Sequence, residues 1–156
     1  MNFTFLIPGK AREEFLQKGY AEYLKRIQGY GKARIVYLPE ERIAKESPAL
    51  IQRALHKEAQ RALALVKEDA LVLLDVHAKL LDSQKLAASL ERLFARKGNI
   101  FFYVGSSYGL DDALRQRADL SFSLSPLTFT HYLAMLLLLE QVYRSLKILA
   151  GENYDK

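Results

Sequence analysis

Five apolar runs divide the chain and restrict it to one class of fold. They read FTFLI (Phe3 to Ile7), ARIVYL (Ala33 to Leu38), ALVLLD (Ala70 to Asp75), NIFFYV (Asn99 to Val104) and DLSFSL (Asp119 to Leu124). The first four are continuous, as strands covered on both faces require, whereas DLSFSL alternates. Each is followed by polar or turn-forming residues and then by a longer segment with helical spacing.

The helical segments carry their own start and stop signals. Phe15, Leu16, Tyr20, Tyr23, Leu24 and Ile27 predict a helix from Arg12 to Ile27, closed by Gly29 and Gly31. Ser47-Pro48 pairs a capping hydroxyl with proline at the first helical position and opens a helix to Lys67. Asp82-Ser83 caps a third, from Gln84 to Arg96, which Gly98 ends. A short helix from Asp111 to Arg117 and a long one from His131 to Leu149 complete the set, with GENYDK as a tail. Strands alternating with helices predict an α/β fold, a mainly parallel sheet with helices on both faces. With 156 residues and no repeat or linker, residues 1–156 read as one domain.

Composition removes several alternatives. There is no cysteine, which excludes a disulfide scaffold and thiolate metal sites and fits a reducing, cytoplasmic setting. His56, His77 and His131 are isolated in sequence, so no metal is expected. The longest apolar run, Tyr132 to Leu139, is too short to span a bilayer, so no membrane partner is expected. Lys and Arg number 23 against 18 acids, a net charge of +5 that suits a nucleic-acid partner without requiring one.

Parallel sheets bind ligands at the carboxyl ends of their strands. Three loops belong there: after Asp75, Gly105 to Gly109, and Ser125 to Thr130. GSSYG in the second admits two readings. As G-x-S-x-G it would place Ser107 as a nucleophile, with Asp119 and His131 following in the chain order of a serine hydrolase. That reading wants a larger sheet than this chain supplies. As a bare backbone edge, Gly105 with the small Ser106 and Ser107 would let an adenine approach, walled by Leu74 and Leu127.

A family resemblance favours the second reading. YVGSSYGLDD, SLSPLTFTH and LLLLEQVYRSLKILAGENYDK resemble, in order and spacing, the C-terminal half of the SPOUT-class ribosomal large-subunit methyltransferase H (RlmH) family. GKAREEFLQKGYAEYLKRI and LDVHAKLLDSQKLA resemble that family's N-terminal and central motifs, so the likeness covers the whole chain. It implies a C-terminal trefoil knot, a homodimer and S-adenosylmethionine as methyl donor. It further implies methylation at N3 of a pseudouridine in 23S rRNA within the assembled ribosome. By motif position, Leu74, Gly105, Leu124, Ser125, Pro126, Leu127, Thr128 and Phe129 would bind the donor.

Four departures stand out. Ser106 replaces the family's second glycine, Ala78 the glycine before the lysine of its central motif, Thr130 its proline before histidine, and Asp155 the histidine of its terminal Tyr-His-Lys. Tail and helix supply the candidates for chemistry: His131 and Asp155 for proton handling, Arg144 and Lys156 for phosphate or a uracil anion, and Tyr154 for stacking on a base. A non-catalytic ribosome-binding protein on the same fold is the alternative, with the altered tail marking lost chemistry.

Overall fold

The computed structural model describes residues 1–156. Ten elements follow in order: β1 (Asn2–Pro8), α1 (Glu14–Ile27), β2 (Lys32–Leu38), α2 (Pro48–Val66), β3 (Ala70–Leu74), α3 (Ser83–Phe94), β4 (Asn99–Val104), α4 (Asp112–Arg117), β5 (Leu120–Phe122) and α5 (His131–Leu149). The strands form one sheet in the order β2-β1-β4-β3-β5, and every pairing is parallel. β4 is inserted between β1 and β3, opposite Phe5 on one side and Val72 on the other through Phe102.

Side-chain alternation along the strands divides the core into two layers. Phe3, Phe5, Ile7, Val72, Ile100, Phe102 and Val104 face α1, α3 and α5. Leu6, Leu71, Leu73, Phe101 and Tyr103 face α2 and α4. Because both faces are covered, the strands need apolar side chains at nearly every position, which explains their continuous runs. Phe5 and Phe102 stack with ring centroids 4.8 Å apart and join two central strands.

The predicted caps are present. Ser47 Oγ accepts the Leu50 N–H at 3.2 Å, and Asp82 accepts the Lys85 N–H at 2.8 Å. Two expectations change. Phe15 points outward, 66% exposed, and Leu16 and Tyr20 carry the buried face of α1. β5 ends at Phe122 because the Ser123 hydroxyl turns onto the Ser125 carbonyl at 3.0 Å, folding the chain out of the sheet. In α5, Ala134, Met135, Leu138 and Leu139 are buried while Tyr132, Leu133, Leu136 and Leu137 are half-buried. No helix is long and apolar enough to cross a membrane.

Candidate functional site

Three loops leave the carboxyl edge of β3, β4 and β5 side by side. Leu74 and Val104 are register partners at the ends of β3 and β4, and Leu74 also pairs with Phe122. A further bridge joins Leu80 to Ser123, so the loop after β3 lies against the loop after β5. The motif residues Leu74, Gly105 and Leu124 to Phe129 therefore converge on one edge. Four large apolar side chains there stand open to water: Val76, Leu80, Leu127 and Phe129. Leu127 is 71% exposed. Apolar side chains gathered on loops at a sheet's carboxyl edge form a wall for a flat apolar ligand.

The Gly105 loop is tighter than its sequence suggests. A Cβ at Gly105 would lie 2.5 Å from the Gly109 carbonyl oxygen and 2.7 Å from Leu110 Cδ2. The room beside Gly105 is thus taken by its own loop, which closes through an antiparallel Ser106–Gly109 bridge, with Gly109 at φ +106°. The expectation that Gly105 reserves space for a ligand is corrected accordingly: the missing side chain lets the loop fold on itself. Ser106 turns inward and is buried.

The loop after β5 is organised by its own hydroxyls. Ser125 N–H donates to Ser123 Oγ at 3.3 Å, and Leu127 N–H donates to Ser125 Oγ at 3.0 Å. Thr130 caps α5 through the Leu133 N–H. His131 follows at the first helical position. Burial holds its imidazole below its ordinary pKa, outweighing the Glu40 carboxylate and the Pro8 carbonyl, so the ring is neutral at pH 7. Its Nε2 is buried without a partner.

The tail folds back on α5. Arg144 donates through Nε and Nη2 to Glu140 Oε1 at 3.1 and 2.6 Å, and through Nη1 to Asp155 Oδ1 at 3.0 Å. Gln84 Nε2 donates to the other Asp155 oxygen at 3.1 Å. The Arg144 guanidinium lies 4.7 Å from the centre of the Tyr154 ring, whose hydroxyl donates to Glu140 at 3.2 Å. Lys156 is exposed. His131 stands apart from this cluster. Arg144 lies thirteen positions further along α5, about 20 Å away at the rise of an α-helix. One chain therefore does not unite the five candidates: Arg144, Tyr154 and Asp155 touch, and His131 lies at the other end of the helix.

The hydrolase arrangement is not assembled. Asp119 accepts the Leu71 N–H at 2.8 Å and pairs with Arg117, at the amino edge of the sheet, opposite the Ser107 loop. Two surface clefts of about 460 and 550 Å³ also lie at that amino edge, lined by Asn2, Lys32 and Asn99 and by Arg92, Arg96 and Asp119. They are open depressions away from the loops; the ligand crevice of a parallel sheet belongs at the carboxyl edge.

Sequence reasoning missed Gln84 and Glu58. Nothing local marks Gln84, which meets Asp155 from 71 positions away. Glu58 had a signal. It falls on the apolar stripe of α2 with Leu55, Ala59 and Ala62, where a carboxylate is out of place.

The family model for predicted SPOUT methyltransferases matches residues 1–155. The chain belongs to the SPOUT methyltransferase family. Full-length relatives specify the branch. Ribosomal RNA large subunit methyltransferase H of Alkaliphilus oremlandii is 40% identical, with 100% of both chains covered. Proteins of that name from Bacillus pumilus and Listeria monocytogenes are each 38% identical over the same full coverage. Solved structures agree in fold. A probable methyltransferase from Bordetella pertussis superposes with TM-score 0.56 at 15% identity, over 92% of this chain and 93% of that one. The TrmH/SpoU tRNA modifying enzyme of A. aeolicus gives 0.50 at 13%, over 96% and 77%. At that identity the likeness concerns the SPOUT fold alone.

Proposed function

We propose that this protein is an S-adenosylmethionine-dependent methyltransferase acting at N3 of a pseudouridine in 23S rRNA of the assembled ribosome. It works in the cytoplasm as a homodimer whose single domain, 1–156, carries a C-terminal trefoil knot. The observation that carries the reading is the convergence of the three motif loops on one sheet edge, with Leu127 and Phe129 open to solvent. The full-length kinship to ribosomal RNA large subunit methyltransferase H proteins supports the RNA class.

The residues fit the donor. Adenine needs flat apolar walls, which Leu74, Leu127 and Phe129 offer, and backbone hydrogen bonds, which the Gly105 loop and the Leu124–Phe129 segment can give. The bound donor supplies an electrophilic methyl on a sulfonium, and sulfur leaves as a neutral thioether. The protein's task is to hold N3 in line with that methyl and to favour loss of the N3 proton. Arg144 is the cation placed to favour the N3 anion, with Tyr154 stacked on it and Asp155 and Gln84 fixing its reach. Both Asp155 oxygens are engaged, one by Arg144 and the other by Gln84, so Asp155 acts by holding Arg144. Lys156 offers a charge to phosphate. His131 and the tail can serve one substrate only if two copies each supply one of them, which supports the homodimer.

The non-catalytic reading draws on one observation: three of the five Arg144 N–H donors are already taken by Glu140 and Asp155. Transfer of labelled methyl groups to intact large subunits, compared with deproteinised 23S rRNA, decides between them. Label on the subunits supports the enzyme; donor binding with no label in either sample supports the binding protein.

A further inference from the structure

Glu58 is a buried acid that the methyl-transfer chemistry leaves unused. It is 2% exposed and lies on the inner face of α2. One carboxylate oxygen accepts the Glu41 N–H at 3.2 Å, which ties it to the segment between β2 and α2. The other, Oε1, has no partner. The inward-turned hydroxyl of Ser106 lies beside it, 7% exposed and also without a partner. The two groups are adjacent, but their hydrogen bond is not closed. A buried acid and a buried hydroxyl facing one another are each costly unless they join.

The surroundings favour a neutral acid at this position. Burial pushes the Glu58 carboxyl above its ordinary range, and the Glu40 and Glu41 carboxylates push it further. The Glu41 N–H and the Ser106 hydroxyl only temper that rise. Tyr103, on β4 beneath the loop, is also within electrostatic reach of Glu58. A neutral carboxyl can donate to Ser106 Oγ, or accept from it, without placing a charge in the core. Glu41 is itself held by Arg61 at 3.1 Å and Lys57 at 3.5 Å, so the anchor on the far side is fixed.

We propose that Glu58 is a positioning residue: through Ser106 Oγ it braces the Gly105–Gly109 loop in the shape that accepts the methyl donor, and it couples that loop to Glu41. The proposal rests on the donor-site reading given above, and it adds a residue from the opposite helical layer. Glu58 touches neither donor nor RNA; it acts through Ser106.

The test uses the full chain and four variants: Glu58→Ala, Glu58→Gln, Ser106→Ala and the double Glu58→Ala/Ser106→Ala. S-adenosylmethionine affinity is measured by calorimetry, and amide hydrogen exchange is followed at Ser106 to Gly109 without donor. Glu58→Ala should weaken donor binding by about tenfold and speed exchange in the loop, while exchange in the β1 and β3 amides stays slow. Glu58→Gln, which keeps size and hydrogen-bonding capacity, should stay within about threefold of the native protein. The double variant should lose no more than the worse single one, because both act through one contact. Faster loop exchange in a protein that binds no donor even as wild type would sink the donor-site reading and, with it, the assigned purpose of the brace. Full additivity of the two singles, or unchanged loop exchange in Glu58→Ala, would overturn the proposal itself. Should Glu58→Ala not fold, Ser106→Ala with Glu58→Gln carries the same comparison.

Discussion

Arg144 Nη1 and Asp155 Oδ1 lie 3.0 Å apart, and this contact pins the last residues of the chain to the helix that precedes them. Both side chains are about one-quarter exposed, so the pair is partly screened. Its weight in stability is small, within about 1 kcal/mol. Its effect is positional: it fixes where the guanidinium points.

Removal of Tyr154 to Lys156 should therefore abolish methyl transfer to ribosomes while leaving S-adenosylmethionine affinity within about threefold. Single-turnover transfer and calorimetry on the same sample check both halves. Asp155→His, which restores the family's residue, should keep or raise activity. A large loss would show that this protein depends on its own carboxylate.

Gly105→Ala should damage the donor loop from within. Its Cβ would collide with the Gly109 carbonyl and with Leu110, and a shift of backbone cannot be absorbed by a rotamer change. Donor affinity should fall at least tenfold and the melting temperature should drop by a few degrees. A variant as stable as the native protein would remove the collision from the explanation.

The fold was legible in the sequence to within a few residues at most ends, because continuous apolar runs and side-chain caps are local signals. The Ser47 and Asp82 caps are cases in point. The strand order was not legible. Nothing in NIFFYV says that it inserts between the first and third strands, since that depends on contacts far apart in sequence. That three motif loops share the carboxyl edge was legible, yet the reason for Gly105 was misread: the Gly109 carbonyl behind it is seen only once the loop is folded. Among the catalytic candidates, the contact of Arg144 with Tyr154 and Asp155 was not legible, since it depends on how the tail folds back on α5. His131 could not be separated from them until helix length entered the argument.

Asp75 and Arg115 supply a prediction about acid stability. Asp75 is 5% exposed, and its carboxylate accepts Arg115 Nε at 2.8 Å and the His77 N–H at 3.0 Å. Burial raises its pKa, but the guanidinium and the N–H outweigh that, and the folded value lies below the ordinary one. A depressed carboxylate contributes stability above its unfolded pKa, near 4, and loses it as pH falls through the folded value. Asp75→Asn should thus flatten the fall in melting temperature below about pH 4. Arg115→Ala, by leaving the buried carboxylate unpaired, should cost about 2 kcal/mol at neutral pH, reduced because Arg115 is partly solvated. Thermal melts across pH check both.

The half-buried Leu133, Leu136 and Leu137 leave an apolar flank on α5. Leu137→Glu should convert a dimer into monomers or block folding, because a carboxylate there cannot be buried against a second copy. Light scattering reads the mass directly. A native protein that is monomeric at micromolar concentration would remove the two-copy site and leave His131 without a route to the tail.

The central claim is methyl transfer to a defined base, and mass spectrometry of 23S rRNA tests it most directly. Large subunits lacking the modification are treated with the protein and S-adenosylmethionine, and the nucleosides are then mapped. The account predicts one new methyl group per subunit, at N3 of a pseudouridine, lost on deletion of the tail. Unmodified rRNA, or a methyl group on a ribose or on another base, would contradict it.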